Sequence, residues 1–189
     1  MAIFDPSSDL NHRTSLPDAL RTLAEEYPRD IWDAHTNFGG LVKFWLERHL
    51  MFRKLMTMMR EDVEKREAQK LDPVQYAQRL ARLGNMFVGE LHMHHNIEDH
   101  QYFPVLQKME TSLVRGFEIL DKDHHALDEH LEAFTRDANL LIQNPNAESS
   151  KAMQEFHQGL DRLEGFLNRH LIDEEELVVP IILKHGFDQ

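Results

Sequence analysis

No cysteine occurs among the 189 residues of this chain. That absence removes disulfides, thiolate zinc sites, iron–sulfur clusters and thiol nucleophiles together. Cations are scarce beside anions, 21 Lys and Arg against 33 Asp and Glu, for a formal charge of -12 with His neutral. Nucleic acid and anionic lipid both select clustered Lys and Arg, so neither is an expected partner. No stretch approaches the roughly 20 apolar residues a membrane helix needs, so no membrane partner is expected either. Met1 to Leu16 lacks a basic start and a long apolar run, so the expected location is the cytoplasm. Strand alternation is missing over any useful length. What remains is an acidic chain of a size that suits one domain with a core needing no covalent staples.

Glycine and proline are also sparse, 8 and 7 in all, and the breaks they make leave long helical spans. Residues 1 to 14 read as a loose arm, and Ser15 with Pro17 as the start of a short helix over 15–28. The metal-binding part described below is expected over 31–185. Its first helix covers Ile31 to Ala68, kinked or broken at Gly39-Gly40. Asp72 and Pro73 form an N-cap and first-turn pair opening a second helix toward Phe103, which Pro104 should bend or end. A third helix fits Leu113 to Gln143, and a fourth fits Ser150 to about Val179, followed by Pro180. Lys184 and His185 before Gly186 give the cation-then-glycine order of a helix end.

Four of these helices carry inward stripes interrupted by polar residues. The stripes read Trp45, His49, Phe52, Met56, Met59; Phe87, Leu91, His94, Glu98; Leu120, His124, Leu127, Leu131, Phe134; and Leu163, Leu167, His170, Glu174, Leu177. Such spacing marks the buried face of a bundled helix. An ionised carboxylate left there without a partner would cost several kcal/mol, roughly, and a metal centre compensates for it. The stripes also repeat: 75 residues separate His49 from His124, and 76 separate His94 from His170. At those offsets Trp45 meets Leu120, Phe87 meets Leu163, Glu98 meets Glu174, Asp99 meets Glu175 and Pro104 meets Pro180. The expected fold is therefore all-α, an up-down four-helix bundle of two repeated hairpins with an additional short N-terminal helix.

His94-x-x-x-Glu98 and His170-x-x-x-Glu174 are the strongest local motifs. Four residues along a helix leave a rotation of about 40° and a rise of about 6 Å, so each His and Glu reaches the same ion pair. His49 and His124 complete a set of six metal ligands, with two His per metal and two shared carboxylates. Imidazole with carboxylate suits iron, manganese or zinc. Two other metal chemistries lack their motifs. No Glu-x-x-His occurs, Asp121-x-x-His124 being the nearest approach among the helices and not repeated, which argues against ferritin-type ferroxidase chemistry. No His-Glu-x-x-His occurs, which argues against a mononuclear zinc hydrolase.

From about Trp45 to Pro180 the chain resembles the hemerythrin-like family, all-α bundles with a histidine–histidine–glutamate cation-binding signature. The resemblance rests on Glu47-Arg48-His49, His94-x-x-x-Glu98-Asp99 with Phe103-Pro104, Asp123-His124 with Leu127-Asp128, and His170-x-x-x-Glu174-Glu175. It implies a non-haem di-iron centre, two iron ions per chain, with carboxylate bridges and reactivity toward O₂ or related ligands such as nitric oxide or peroxide. Oxygen-carrying members use a His four residues after the third-helix ligand, where this chain has Asp128. They also place an Asp five residues after the last His, where this chain has Glu175 beside Glu174. These departures disfavour reversible carriage, and the expected role is binding or sensing of a small ligand. The alternatives are a redox enzyme turning over peroxide or nitric oxide, an iron-centre repair protein, or a static metal staple. Repair proteins of this kind often carry an additional cysteine-bearing N-terminal segment, and this chain has no cysteine.

The other histidines are off the stripes. His95 with Asp99 and His125 with Glu129 lie one residue away and are read as standing behind the ligands or in solvent. His92, His100, His130 and His157 are expected at the surface. His35, at ~21 Å along a helix from His49, is too far to share its ion, and His12 lies in the arm. Tyr102, four residues beyond Glu98, is expected as a buried structural tyrosine or a hydrogen-bond donor facing the centre. Trp45 is read as a pocket wall, and Arg60 to Lys70 as a solvated helix end.

Overall fold

The computed structural model describes residues 9–146 and 150–187, and among these the only regular elements are helical. In chain order they are α1 (Thr22–Glu26), α2 (Gly40–Glu67), α3 (Pro73–Ile97), α4 (Phe103–Met109), α5 (Val114–Gln143) and α6 (Ser150–His185). Short 3₁₀ turns cover Asp18–Leu20, Arg29–Ala34 and Thr111–Leu113, and a π-helical turn, Glu98–Tyr102, joins α3 to α4.

Local chemistry explains several boundaries. Asp72 caps α3, its Oδ1 accepting the backbone N–H groups of Val74 and Gln75 at 3.0 Å each. Gly186 ends α6 with φ +71°, its N–H donating to the Ile182 carbonyl at 2.9 Å. Elsewhere the expected boundaries shift. Residues 1–8 of the expected arm lie outside the described residues, but from Asp9 onward the segment is held down, with Leu10, Arg13 and Leu16 buried. The expected helix over 15–28 is instead a 3₁₀ turn followed by the short α1. The helix expected from Ile31 begins only at Gly40, because Gly39-Gly40 separates it from the Arg29–Ala34 turn.

Proline does not stop either later helix. The second helical run continues past Pro104 to Met109 after a widened turn, and α6 runs through Pro180 to His185. Around Pro180 the helix is buried on every side, from Leu177 to Leu183. Packing on all faces outweighs the loss of one backbone donor. The Arg60 to Lys70 stretch is likewise less solvated than its charges suggest. Asp62 and Val63 are buried, and Arg79 Nε donates to Asp62 Oδ2 at 2.6 Å.

Two compact units run along the helices. Among the described residues, one comprises 9–49, 95–126 and 168–187, and the other 50–94, 127–146 and 150–167. The first has a core in which Leu16, Leu20, Leu23 and Trp32 of the N-terminal segment join Trp45, Phe117, Leu120, Leu177 and Ile181. The second is aromatic at its centre, with edge-to-face pairs Phe52–Phe87 at 6.4 Å and Phe87–Phe134 at 6.1 Å.

Candidate metal centre

Each helix brings its polar intruders inward for a local reason. α3 delivers His94 and His95 from its last turns, and the π-helical turn begins at Glu98, where the Phe103 N–H bonds the Glu98 carbonyl five residues back. The turn precedes Pro104, which has no N–H for the carbonyl four residues behind it, so the extra residue relieves the ladder where proline would break it. α2 supplies His49, α5 supplies Asp123 and His124, and α6 supplies His170, Asp173, Glu174 and Glu175. All of these side chains are buried, His49, His170 and Glu174 completely.

The donor atoms form two groups. Those of His49, His94, Glu98 and Glu174 lie within 4.8 Å of one another, and so do those of His95, His124 and His170. The two carboxylates also approach the histidines of the second group. His124 Nε2 lies 3.6 Å from Glu98 Oε2, and His170 Nε2 lies 3.7 Å from Glu174 Oε2, while His49 Nε2 is 3.3 Å from the same Glu174 oxygen. The six residues selected by the stripes therefore divide between the groups, with His124 and His170 joined by a seventh residue, His95.

His95 is the residue the stripes miss. It is buried, and its ring stacks on His124 with centroids 4.0 Å apart and planes 10° apart. A helix buries a face about 100° wide, so the neighbour of a stripe position can also point inward. The His95-x-x-x-Asp99 spacing was the available signal.

Behind the donor atoms stands a ring of carboxylates. His49 Nδ1 lies 2.9 Å from Glu175 Oε1, His124 Nδ1 lies 2.8 Å from Asp99 Oδ1, and His170 Nδ1 lies 3.4 Å from Asp123 Oδ2. With Nδ1–H donating outward to a carboxylate, the lone pair of each ring sits on Nε2, directed at the interior. Nε2 of His124 and of His170 is buried and has no hydrogen-bond partner among the described residues, which suits a cation rather than a protein donor. Trp45 Nε1 donates to Glu174 Oε1, so Trp45 is tied to a carboxylate as well as walling the site. Phe52 and Phe103 pack on His94 and His124 at 5.2 and 5.7 Å between ring centroids.

Charge points the same way. Burial, reinforced by the neighbouring Glu174, holds the Glu98 carboxyl well above its ordinary range. Burial alone would lower His49, but Glu174 and Glu175 outweigh it and raise the ring above its ordinary value. His170 is lowered by burial, with Asp123 opposing. Two facing carboxylates and a shell of imidazoles are thus short of positive charge, an arrangement that suits a bound cation.

The remaining candidates lie elsewhere. Asp128 is exposed, with Oδ1 3.4 Å from His92 Nε2, and exposed His125 directs Nδ1 at the Asp121 carbonyl at 2.8 Å. Tyr102 is half-buried against Trp45, 4.9 Å between ring centroids, and lines a pocket of about 360 Å³ with Asn37, Val42, Ile182 and Phe187. His35 packs on Tyr27, His130 on Phe166, and His157 pairs with Glu67. His12 and His100 are exposed.

Among known families, the hemerythrin HHE cation-binding domain matches residues 40–182. No curated protein and no solved structure gives a significant match. No helix among the described residues is long and apolar enough to cross a membrane.

Proposed function

Because the chain belongs to the hemerythrin HHE cation-binding family, we propose that it is a metal-binding protein whose seven inward side chains hold two iron ions and bind or sense a small ligand. One ion is assigned to His95, His124 and His170, the other to His49 and His94, with Glu98 and Glu174 shared between them. The reading treats 1–189 as a single hemerythrin-like domain with its metal-binding bundle over 31–185. The observation that carries it is the grouping of these donor atoms, within 4.8 Å in each set, on buried side chains. Five imidazoles and two carboxylates without a thiolate suit iron, with manganese or zinc as alternatives.

Two ferrous ions would supply electrons to O₂, nitric oxide or peroxide. The chain's own residues set the terms of that encounter. Glu175, Asp99 and Asp123 keep Nδ1 of their histidines protonated, so Nε2 remains available as a ligand. Trp45 fixes one oxygen of Glu174 and leaves the other toward His49 and His170. Phe52 and Phe103 exclude water beside His94 and His124.

Protein purified without added metal should contain about two iron ions per chain, with visible bands that shift on adding azide. Stopped-flow mixing of the reduced protein with O₂, peroxide and nitric oxide then tests the role. A stable, reversible spectrum supports binding or sensing, repeated turnover supports the redox-enzyme alternative, and inertness supports a structural metal. Absence of metal after aerobic and anaerobic reconstitution would end the proposal.

A further inference from the structure

The outer carboxylates of His49 and His170 are each held by an arginine from the N-terminal segment, which precedes the family match at 40–182. Arg13 is buried and donates through Nη1 to Asp123 Oδ1 at 2.8 Å and through Nη2 to Asp123 Oδ2, the oxygen that faces His170 Nδ1. Its Nε donates to Asp173 Oδ2 at 2.8 Å, and Asp173 Oδ1 accepts the Leu16 N–H at 3.1 Å. Arg29 donates to Glu175 Oε2, while Glu175 Oε1 faces His49 Nδ1. The guanidinium of Arg29 lies over Trp32, 4.9 Å from the ring centroid, and its side chain is 57% exposed while that of Glu175 is 1% exposed. Both arginines therefore occupy oxygens on carboxylates whose remaining capacity orients a histidine.

We propose that Arg13 and Arg29 are positioning residues of the metal centre, acting through Asp123 on His170 and through Glu175 on His49. This rests on the reading of those histidines as metal ligands. Arg13 holds both oxygens of Asp123 in a planar fork, and Arg29 holds Oε2 of Glu175 by a charge-assisted hydrogen bond. That sets the direction in which the carboxylate accepts the imidazole N–H, and so the aim of Nε2. Without Arg29, Glu175 loses the partner on Oε2 that fixes its direction. His49 then loses its fixed aim, although the helix that carries it is unchanged.

The test compares R29Q, R29K and R13Q with R21Q. Arg21 provides the control, because its Nε reaches Glu176 Oε2 at 3.0 Å, tying the same N-terminal segment to α6 through a carboxylate for which no contact with the histidines is described. Each protein is loaded with Co²⁺, its visible ligand-field spectrum is recorded, and release of the metal to an excess of chelator is timed. R29Q and R13Q should release metal about tenfold to a hundredfold faster than wild type, the range for loss of a group behind a metal ligand. Their spectra should change, R29K should recover part of the difference, and R21Q should match wild type. If R13Q does not fold, R29Q decides, because Arg29 is largely exposed. Wild-type release rates and spectra in R29Q, or equal acceleration in R21Q, would overturn the inference, leaving the segment as a simple tether. A wild-type chain that takes up no cobalt or iron would overturn the reading of the centre and this inference with it.

Discussion

His49 and His124 occupy equivalent places in the two repeats, 75 residues apart, and each is held from behind by the acid that follows the other repeat's glutamate. Glu175 serves His49 and Asp99 serves His124. Glu175 is 1% exposed and carries Arg29 on its second oxygen, whereas Asp99 is 24% exposed at the side chain. The exchange shows that the repeats are interlocked, since neither histidine is oriented by its own half. The inequality shows where the symmetry ends: the N-terminal segment backs Glu175 through Arg29, whereas the equivalent Asp99 is left toward water.

The largest effect should come from removing what both halves share. Glu98→Ala or Glu174→Ala should abolish retention of at least one ion on gel filtration, measured as metal per chain. Full occupancy in either variant would break the assignment. Next, E175Q should weaken metal affinity by about 10–100-fold, while D99N should lose less, because water reaches Asp99 and can replace part of its role. Equal losses in a chelator competition would refute the inequality drawn above. A smaller effect of opposite sign is expected in metal-free protein. E98Q replaces a carboxyl whose ionisation burial and Glu174 oppose in the folded chain, a cost present above its ordinary titration range. Its thermal midpoint at neutral pH should therefore rise by about 2–4 °C for each kcal/mol gained, even as metal binding falls.

The smallest effect concerns the repeat ends. Glu110 pairs with Lys184 of the other repeat at 2.6 Å. Hydrogen bonds from Lys184, Ser112 and His185 hold its carboxyl down to about 2. A depressed acid contributes stability that is fully present above its ordinary value of 4.5 and is lost as pH falls through about 2. E110Q should therefore cost about 0.5–1 kcal/mol at pH 7, and the difference should close toward pH 2, as followed by chemical denaturation across that range.

Much of this architecture is legible in the sequence because burial leaves a periodic signature. His49, His94 and His170 stand out because leucine is expected at their places, and Asp72-Pro73 marks a helix start by capping chemistry alone. His95 is less legible because stripe arithmetic assigns one residue per turn where the buried face has room for two. Arg13 is not legible at all. Its partners lie 110 and 160 residues away, and nothing local distinguishes it from a solvated arginine. The prolines fail for a different reason. Pro104 and Pro180 are equivalent in the repeat, yet one is accommodated by a widened turn and the other by burial on every side. Local rules describe the penalty, and tertiary packing decides how it is met.

The widened turn at Glu98–Tyr102 also acts as a phase shifter. One additional residue rotates everything downstream by about 100° relative to a uniform helix, so α3 and α4 are keyed to different registers. Deleting His100 or Gln101 would remove the additional residue together with the rotation it absorbs, leaving the buried Phe103 and Leu106 toward the core they fill but bringing the Pro104 ring against the carbonyl four residues behind it. Exposed His100 and Gln101 should accept many replacements there. The length of the segment thus serves the proline, so a one-residue deletion should cost about 3 kcal/mol, the penalty of an unrelieved proline inside a helix, while exchanges at those two positions cost little.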